Sequence, residues 1–408
     1  MEPLLHLTHH PHLRGIVQSL PSSKSLSNRA LIIHALSDNT SKLENLSSAR
    51  DTQLMLSLIH NPEKVINVMD AGTTMRFLTA YFSITRQSKI LTGTDRMKER
   101  PIHLLVNALR SLGVTIQYLG KEGFPPLEVM GFERQLTDRL SIRGDVSSQF
   151  ISALMMVAPN LPRGLTLSLE GKVGSMPYLR MTAALMEQFG VKPNFQGTDI
   201  IIPAKAYKAA KYRVEPDWSA ASYWFAFAAL ASDAQLLLPG VEPAALQGDR
   251  VIVDIMSLLG VAARFDIDGM TLTKQAVKVQ KLEWDFTDCP DLAQTVLPVC
   301  TALGIPGSFT GLESLRIKET DRIHALQQEL SKIGGQLEEI SGTWTLMPSP
   351  IPSGKPVIHT YHDHRMAMGF APLVTRRDIT IEAPEVVQKS YPTFWSDLRA
   401  LGVKMEEK

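Results

Sequence analysis

Along the chain, helix-length stretches that are apolar almost all round alternate with amphipathic stretches and with short runs of β-branched residues. Phe150–Val157 and Ala220–Leu230 are the clearest of the first kind, and that pattern predicts helices buried on every side. The amphipathic stretches stop five times in the same way: Leu112-Gly113-Val114, Phe189-Gly190-Val191, Leu259-Gly260-Val261, Ile333-Gly334-Gly335 and Leu401-Gly402-Val403. Glycine just beyond a helix adopts the left-handed conformation without a Cβ clash, so each triplet predicts a helix end that feeds a strand. Strands are predicted at Thr166–Leu169, Ile200–Ile202 and Ile379–Ile381.

The five glycines lie 68 to 77 residues apart. A sixth, weaker stop is Asn61-Pro62, with Asn61 in the left-handed role, only 52 residues before Gly113. The buried stretches also begin alike, on small polar or charged residues: Ser25 to Ala30, Gly72 to Arg76, Ser147 to Phe150, Ser219 to Ser222, Asp291 to Gln294 and His364 to Met368. Leu-Gly is a common helix ending, but its near-constant spacing predicts a repeat. Six units of about 68 residues fill the chain, each with one buried helix, one amphipathic helix and several strands. Polar helix N-termini present free N–H donors and partial positive charge, so several together predict a site for a multiply anionic small molecule.

Composition limits the alternatives. The 408 residues carry 42 Lys+Arg against 41 Asp+Glu, with 44% hydrophobic and 20% charged residues. That excludes disordered, collagen-like and coiled-coil chains and fits two or three domains. The net charge of +1 also argues against a partner such as nucleic acid or anionic lipid, so anion chemistry rests on a few placed cations. Cys289 and Cys300 form no disulfide framework, no apolar run is long enough to span a membrane, and Met1 to His6 lack the features of a signal peptide. A soluble, cytoplasmic protein is expected. His6, His9, His10 and His12 look metal-like but read better as surface histidines on a terminal strand or loop.

Three segments place cations where anions could bind. Lys24-Ser25-Leu26-Ser27-Asn28-Arg29 follows a turn and opens a helix, a phosphate-binding combination without the glycines of a P-loop. Lys318 and Arg322 are four apart; in a helix their repulsion calls for an interposed anion, although Glu319 and Asp321 could satisfy them locally. Arg96, Lys98 and Arg100 surround one acid, Glu99, which suits either an anion site or a solvated loop.

Six blocks together resemble the 5-enolpyruvylshikimate-3-phosphate synthase family. They are Leu20 to Ala30, Ala71 to Arg76, Arg96 to Pro101, Val146 to Phe150, Lys318 to Arg322 and Asp363 to Met368, and with Lys389 they run in the family's order through nearly the whole chain. The resemblance implies an α/β fold: a two-domain inside-out α/β barrel built from six βαβαββ repeats, three per domain. One domain comprises residues 1–20 and 216–408, the other 21–215, with the active site in the cleft between them. It implies transfer of the enolpyruvyl group of phosphoenolpyruvate to the 5-hydroxyl of shikimate 3-phosphate, with release of phosphate, on the route to chorismate and the aromatic amino acids. No metal and no organic cofactor is implied, the partners are the two small substrates, and a monomer is expected.

By position in those motifs, Asp291, Glu319 and Lys24 are the implied catalytic residues. Shikimate 3-phosphate is expected at Lys24, Ser25, Arg29, Ser147, Ser148, Gln149, Ser175, Tyr178, Asp291, Ser314 and Lys318. Phosphoenolpyruvate is expected at Lys24, Gly72, Arg100, Gln149, Arg322, Arg365 and Lys389. Arginine suits such ligands because its planar fork grips two oxygens at once, and Gly72 permits close backbone approach.

Four departures from the family pattern stand out. Asp70 replaces an Asn, Phe77 a Pro and Ser314 an Asn, and the stretch around Asn61–Asn67 is short. The nearest alternative is a UDP-N-acetylglucosamine enolpyruvyl transferase, but the loop Arg96–Arg100 lacks the reactive Cys typical of that family. A non-catalytic phosphometabolite-binding homologue would be expected to have lost Asp291, Glu319 or Lys24, and all three are present.

Overall fold

A computed structural model describes residues 2–37, 39–144, 147–171, 173–350 and 352–408. Val146, the first residue of one motif above, lies outside the described residues. The chain divides into two compact units, one of Met1–Pro21, Ser48–Arg50 and Glu215–Lys408, the other of Ser22–Ser47 and Asp51–Val214.

The core of each unit is a trio of helices whose sequences are apolar on nearly every face. In the second unit these are Lys24–Leu36, Gly72–Ile84 and Ser148–Val157, packed on one another. In the first they are Trp218–Leu230, Ala293–Leu303 and His364–Phe370, again in mutual contact. Trp218–Leu230 has no polar face to turn outward: every residue but Ser219 is buried. Burying such helices is favourable by about 1.5–3 kcal/mol for each large apolar side chain, which more than offsets their modest helix propensity.

Sheets and amphipathic helices cover these trios. Five four-stranded sheets share one pattern of pairing. In chain order, a first strand pairs parallel with a second, the second antiparallel with a fourth, and the fourth antiparallel with the third; in one sheet the N-terminal strand Leu4–Leu7 takes the fourth strand's place. Val65–Asn67, Lys89–Thr92, Leu127–Phe132 and Val114–Tyr118 form one such sheet, in that spatial order. The strands predicted from β-branched runs appear as Leu165–Glu170, Asp199–Ile202 and Ile379–Glu382. The remaining sheet has two strands, Lys42–Glu44 parallel to Lys211–Arg213. The helix Arg50–Leu58 leads through Asn61-Pro62 directly into Val65–Asn67 with no hairpin between, which is the structural form of the short stretch seen in the sequence.

All five glycine stops are left-handed, with φ between 84° and 106°. Asn61 is a correction: it is not among the positive-φ residues, and its side-chain oxygen instead accepts from Glu63 N at 2.8 Å, an alternative local turn. The mixed α/β class expected from the sequence is what the structure shows. Among the described residues the strands make six separate sheets with open edges, and none closes on itself. No described helix is long and apolar enough to cross a membrane.

Candidate active site

In the second unit the sequence-predicted residues gather at the beginnings of the buried helices. Lys24 is the first residue of its helix, behind the N-cap Ser23, and its Nζ lies 3.3 Å from buried Asp51. Arg29, one turn further on, is 2% exposed, and its hydrogen-bond partners among the described residues are neutral: Thr182 Oγ1 at 2.7 Å, Ser25 O at 3.0 Å and Ser152 Oγ at 3.1 Å. Burial pushes its guanidinium down to about 10. The rings of Phe77 and Tyr178 flank it, with centroids 5.3 and 6.0 Å from Cζ. Among the described residues no carboxylate pairs with this buried cation, and a ligand carboxylate or phosphate would supply the counter-charge. Phe77, a departure from the family pattern, thus leaves the helix intact and packs its ring on this cation.

The second group in this unit forms around Gly72. A Cβ built there would meet the Arg100 guanidinium, 2.6 Å from one terminal nitrogen and 2.8 Å from Cζ. Gln149 Nε2 donates to Thr73 Oγ1 at 3.1 Å and so joins the first turns of two buried helices. Ser147 and Ser148 begin the helix that carries Gln149, and Ser175 caps Met176–Gln188 at φ 57°, bringing Tyr178 to Arg29. The basic run ahead of Arg100 turns out to be two different things. Arg96 pairs with Glu99 at 3.1 Å and Lys98 with Asp95 at 3.0 Å in a solvated helical turn, whereas Arg100 alone is buried.

Gly72→Ala follows as a test. Because the new methyl would strike the mobile end of Arg100 rather than backbone, the protein is expected to fold normally with Arg100 displaced. The affinity for an anionic ligand seated on Arg100 should fall about tenfold, in line with losing one charged hydrogen bond. An unchanged ligand affinity in titrations of the variant would remove Gly72 from the site.

The first unit holds a denser cluster. Asp291 precedes the buried helix Ala293–Leu303 and receives three cations: Arg322 at 2.9 Å, Arg365 at 3.1 Å and Lys318 at 3.4 Å. Burial alone would raise its carboxyl, but Arg365, Lys318 and Arg322 override that and hold it well below the usual carboxylate range. Arg322 is 1% exposed and also binds Asp363 at 2.6 Å and Glu319 at 2.9 Å. Burial would lower the guanidinium, yet Asp363, Glu319 and Asp291 raise it above its ordinary value. Lys389, 2% exposed, lies 3.6 Å from Glu319. Ser314 sits nearby in sequence, in the short helix Glu313–Ile317, and is not drawn into this network.

One premise is corrected here. Lys318 and Arg322 are not on one helix, because Lys318 is extended and the helix begins at Arg322. Asp321 does not pair with either of them; it caps that helix, accepting from Ile323 N and His324 N at 3.1 Å each. The two cations meet through Asp291, a residue distant in sequence.

Several supporting residues escaped the sequence. Arg365 also reaches Ser219 Oγ at 3.3 Å and the hydroxyl of Tyr223 at 3.4 Å. Ser219 in turn donates to buried Asp249. Burial is the main cause that pushes the Asp249 carboxyl up, to about 6. Only the recurrent polar opening of each buried helix hinted at Ser219, and nothing local marked Asp249. Cys289 is buried, and burial lifts its thiol to about 12, so it behaves as a core residue rather than a nucleophile.

The architecture and the clusters define an α/β protein with arginines and lysines collected around buried carboxylates at helix starts, a class suited to small polyanionic substrates. A sequence model of the EPSP synthase (3-phosphoshikimate 1-carboxyvinyltransferase) family matches residues 7–63 and 57–398. A 3-phosphoshikimate 1-carboxyvinyltransferase of Bacteroides fragilis (strain YCH46) is 46% identical over 395 residues, 95% of this chain and 96% of that protein. One from Methanospirillum hungatei is 34% identical over 413 residues, 94% and 95% of the two chains. Among solved structures, EPSP synthase from Acinetobacter baumannii superposes with a TM-score of 0.76 at 19% identity, covering 100% of both chains. The enolpyruvyl transferase NikO from Streptomyces tendae gives 0.74 at 13% identity, covering 100% of this chain and 99% of that one; both show the shared fold. The chain belongs to the EPSP synthase family.

Proposed function

We infer that the two clusters serve the substrates of the family reaction. As a member of this family, the chain transfers the enolpyruvyl group of phosphoenolpyruvate to shikimate 3-phosphate in the shikimate pathway. The observation that carries the residue assignment is Asp291, a carboxylate held by Arg322, Arg365 and Lys318, with Glu319 on the other terminal nitrogen of Arg322.

In this reading Asp291 accepts the proton of the 5-hydroxyl as its oxygen attacks C2 of phosphoenolpyruvate. Glu319 delivers a proton to C3, and Lys24 assists between the substrates. The C2–O bond to phosphate then breaks with its electron pair going to the departing phosphate, and Glu319 takes a proton back from C3 to restore the double bond. With its three cations, Asp291 is a weak base. Substrate anions seated on Arg322, Arg365 and Lys318 draw positive charge away from it and raise its basicity when both ligands are present. Arg29, Ser25, Ser147, Ser148, Ser175 and Tyr178 take shikimate 3-phosphate with Lys318 and Ser314. Gly72, Arg100, Gln149, Arg365, Arg322 and Lys389 take phosphoenolpyruvate. The same reading takes the five like sheets and the two-stranded one as six repeats, one of them shortened by a hairpin, and the protein as a cytoplasmic monomer.

Phosphate release from phosphoenolpyruvate tests the assignment. It should require shikimate 3-phosphate and ignore UDP-N-acetylglucosamine. Release with the nucleotide sugar, or none with either acceptor, would overturn the reading.

A further inference from the structure

Glu329 is a buried carboxylate outside the network above. It lies seven residues after Arg322 on the helix Arg322–Ser331, two turns along the same face. Its side chain has 0% exposure and is satisfied on both oxygens. Lys332 Nζ lies 2.9 and 2.7 Å from Oε1 and Oε2, the Tyr361 hydroxyl donates to Oε1 at 2.8 Å, and His359 N donates to Oε2 at 3.1 Å. Lys332 also donates to Val357 O at 2.9 Å, so both ends of this ion pair grip one segment.

That segment runs straight into the arginine cluster. Tyr361 and His362 both adopt left-handed backbone, at φ 54° and 55°, and Asp363 N closes the turn on Thr360 O at 2.8 Å. Two successive L residues in this region are uncommon, because each Cβ crowds the backbone. Such a turn persists only where its surroundings hold it. Asp363 then caps His364–Phe370, accepting from Arg365 N at 2.9 Å, and receives Arg322 Nε at 2.6 Å. The helix Arg322–Ser331 is therefore fastened to the segment at both ends, by Arg322 to Asp363 and by Glu329 to Tyr361 and His359.

We propose that Glu329 and Tyr361 are positioning residues, which hold the left-handed turn so that Asp363 aims Arg322 and Arg365 at the phosphoenolpyruvate anion. Neither touches substrate; both act through the turn. Burial first, and then the Glu329 hydrogen bond, keep the Tyr361 phenol above its ordinary value, so it remains a donor throughout the working pH range. The proposal rests on the phosphoenolpyruvate role assigned above to Arg322 and Arg365.

Tyr361→Phe removes one hydroxyl and little else. It is expected to raise the KM for phosphoenolpyruvate about tenfold, in line with loss of a hydrogen bond to a charged group, and to leave that for shikimate 3-phosphate within about twofold. Adding His362→Gly should return the first KM towards wild type, because glycine holds the left-handed turn without help. Hydrogen exchange needs no substrate: in Tyr361→Phe the amides of Asp363 and Arg365 should exchange faster while the strands exchange as before. Unchanged exchange at those amides overturns the proposal, as does faster exchange with an unchanged KM. Equal rises in both KM values, unrelieved by His362→Gly, would show a merely structural role and also overturn it. If the wild-type chain does not turn over phosphoenolpyruvate, the functional reading fails while the exchange result still decides the turn.

Discussion

Asp291→Asn is expected to lower kcat by roughly 10²–10⁴-fold, the range for removing a general base, in a protein that still folds. The amide matches the carboxylate in shape but cannot serve in the proposed role of accepting the proton of the 5-hydroxyl, and it leaves Arg322, Arg365 and Lys318 facing a neutral group. Phosphoenolpyruvate should still bind, because those same cations remain to receive its oxygens. The pH behaviour follows from the sign of the shift. Burial opposes ionisation of Asp291, but the three cations prevail and its folded-state pKa is depressed. Its stabilising contribution is therefore present above the unfolded value of about 3.9 and is lost as pH falls through the folded one. Asp291 stays ionised throughout the neutral range, so it does not produce an acid limb there in the free enzyme. Acid unfolding of the Asn variant should accordingly show a shallower dependence below about pH 4. Single-turnover phosphate release checks the first expectation, and a variant with wild-type kcat would remove Asp291 from the chemistry.

Arg322→Met is expected to be the most damaging single change for the fold, at about 3–5 kcal/mol. Arg322 is almost wholly buried and faces three carboxylates, of which Asp363 has no solvent exposure. Methionine fills much of the space but takes the guanidinium away from fully buried Asp363 and leaves Asp291 and Glu319 with only their lysine and Arg365 partners, in a low-dielectric interior where Coulomb repulsion and desolvation act together. Most of the loss should come from the stranded charges rather than from the missing contact. The double variant Arg322→Met with Asp363→Asn should therefore recover part of the stability and none of the activity. Urea unfolding followed through the buried tryptophans Trp218 and Trp224 reports the first. A loss below about 1 kcal/mol, the scale of an exposed pair, would mean that Arg322 is far better solvated than its burial indicates.

These two residues also mark the boundary between short-range and long-range information. Features set within one or two helical turns were legible in advance: the apolar stretches that become Lys24–Leu36, Ser148–Val157 and Trp218–Leu230, and the five left-handed glycines that end the amphipathic helices. A helix buried on all sides and a backbone that needs φ above zero each leave a local composition that no other conformation favours. Asn61 shows how narrow that window is, since a two-residue side-chain turn displaced the predicted conformation.

The site was legible as a set of motifs through family resemblance, and the cations at Lys24, Arg29, Lys318 and Arg322 also stood out by their spacing. Tertiary structure decided which charge meets which. Asp291 and Arg365 are 74 residues apart, and Arg322 and Asp363 are 41. Nothing in the run from Arg96 to Arg100 distinguishes the one arginine that is buried over Gly72 from its solvated neighbours. Asp249 and Glu329 resemble surface acids in sequence and lie in the interior. The physical reason is one of range. Helix propensity, capping and periodicity act between residues a turn apart and can be read from the order of side chains. A carboxylate's charge state and partners depend on desolvation and on cations brought close only when distant segments pack.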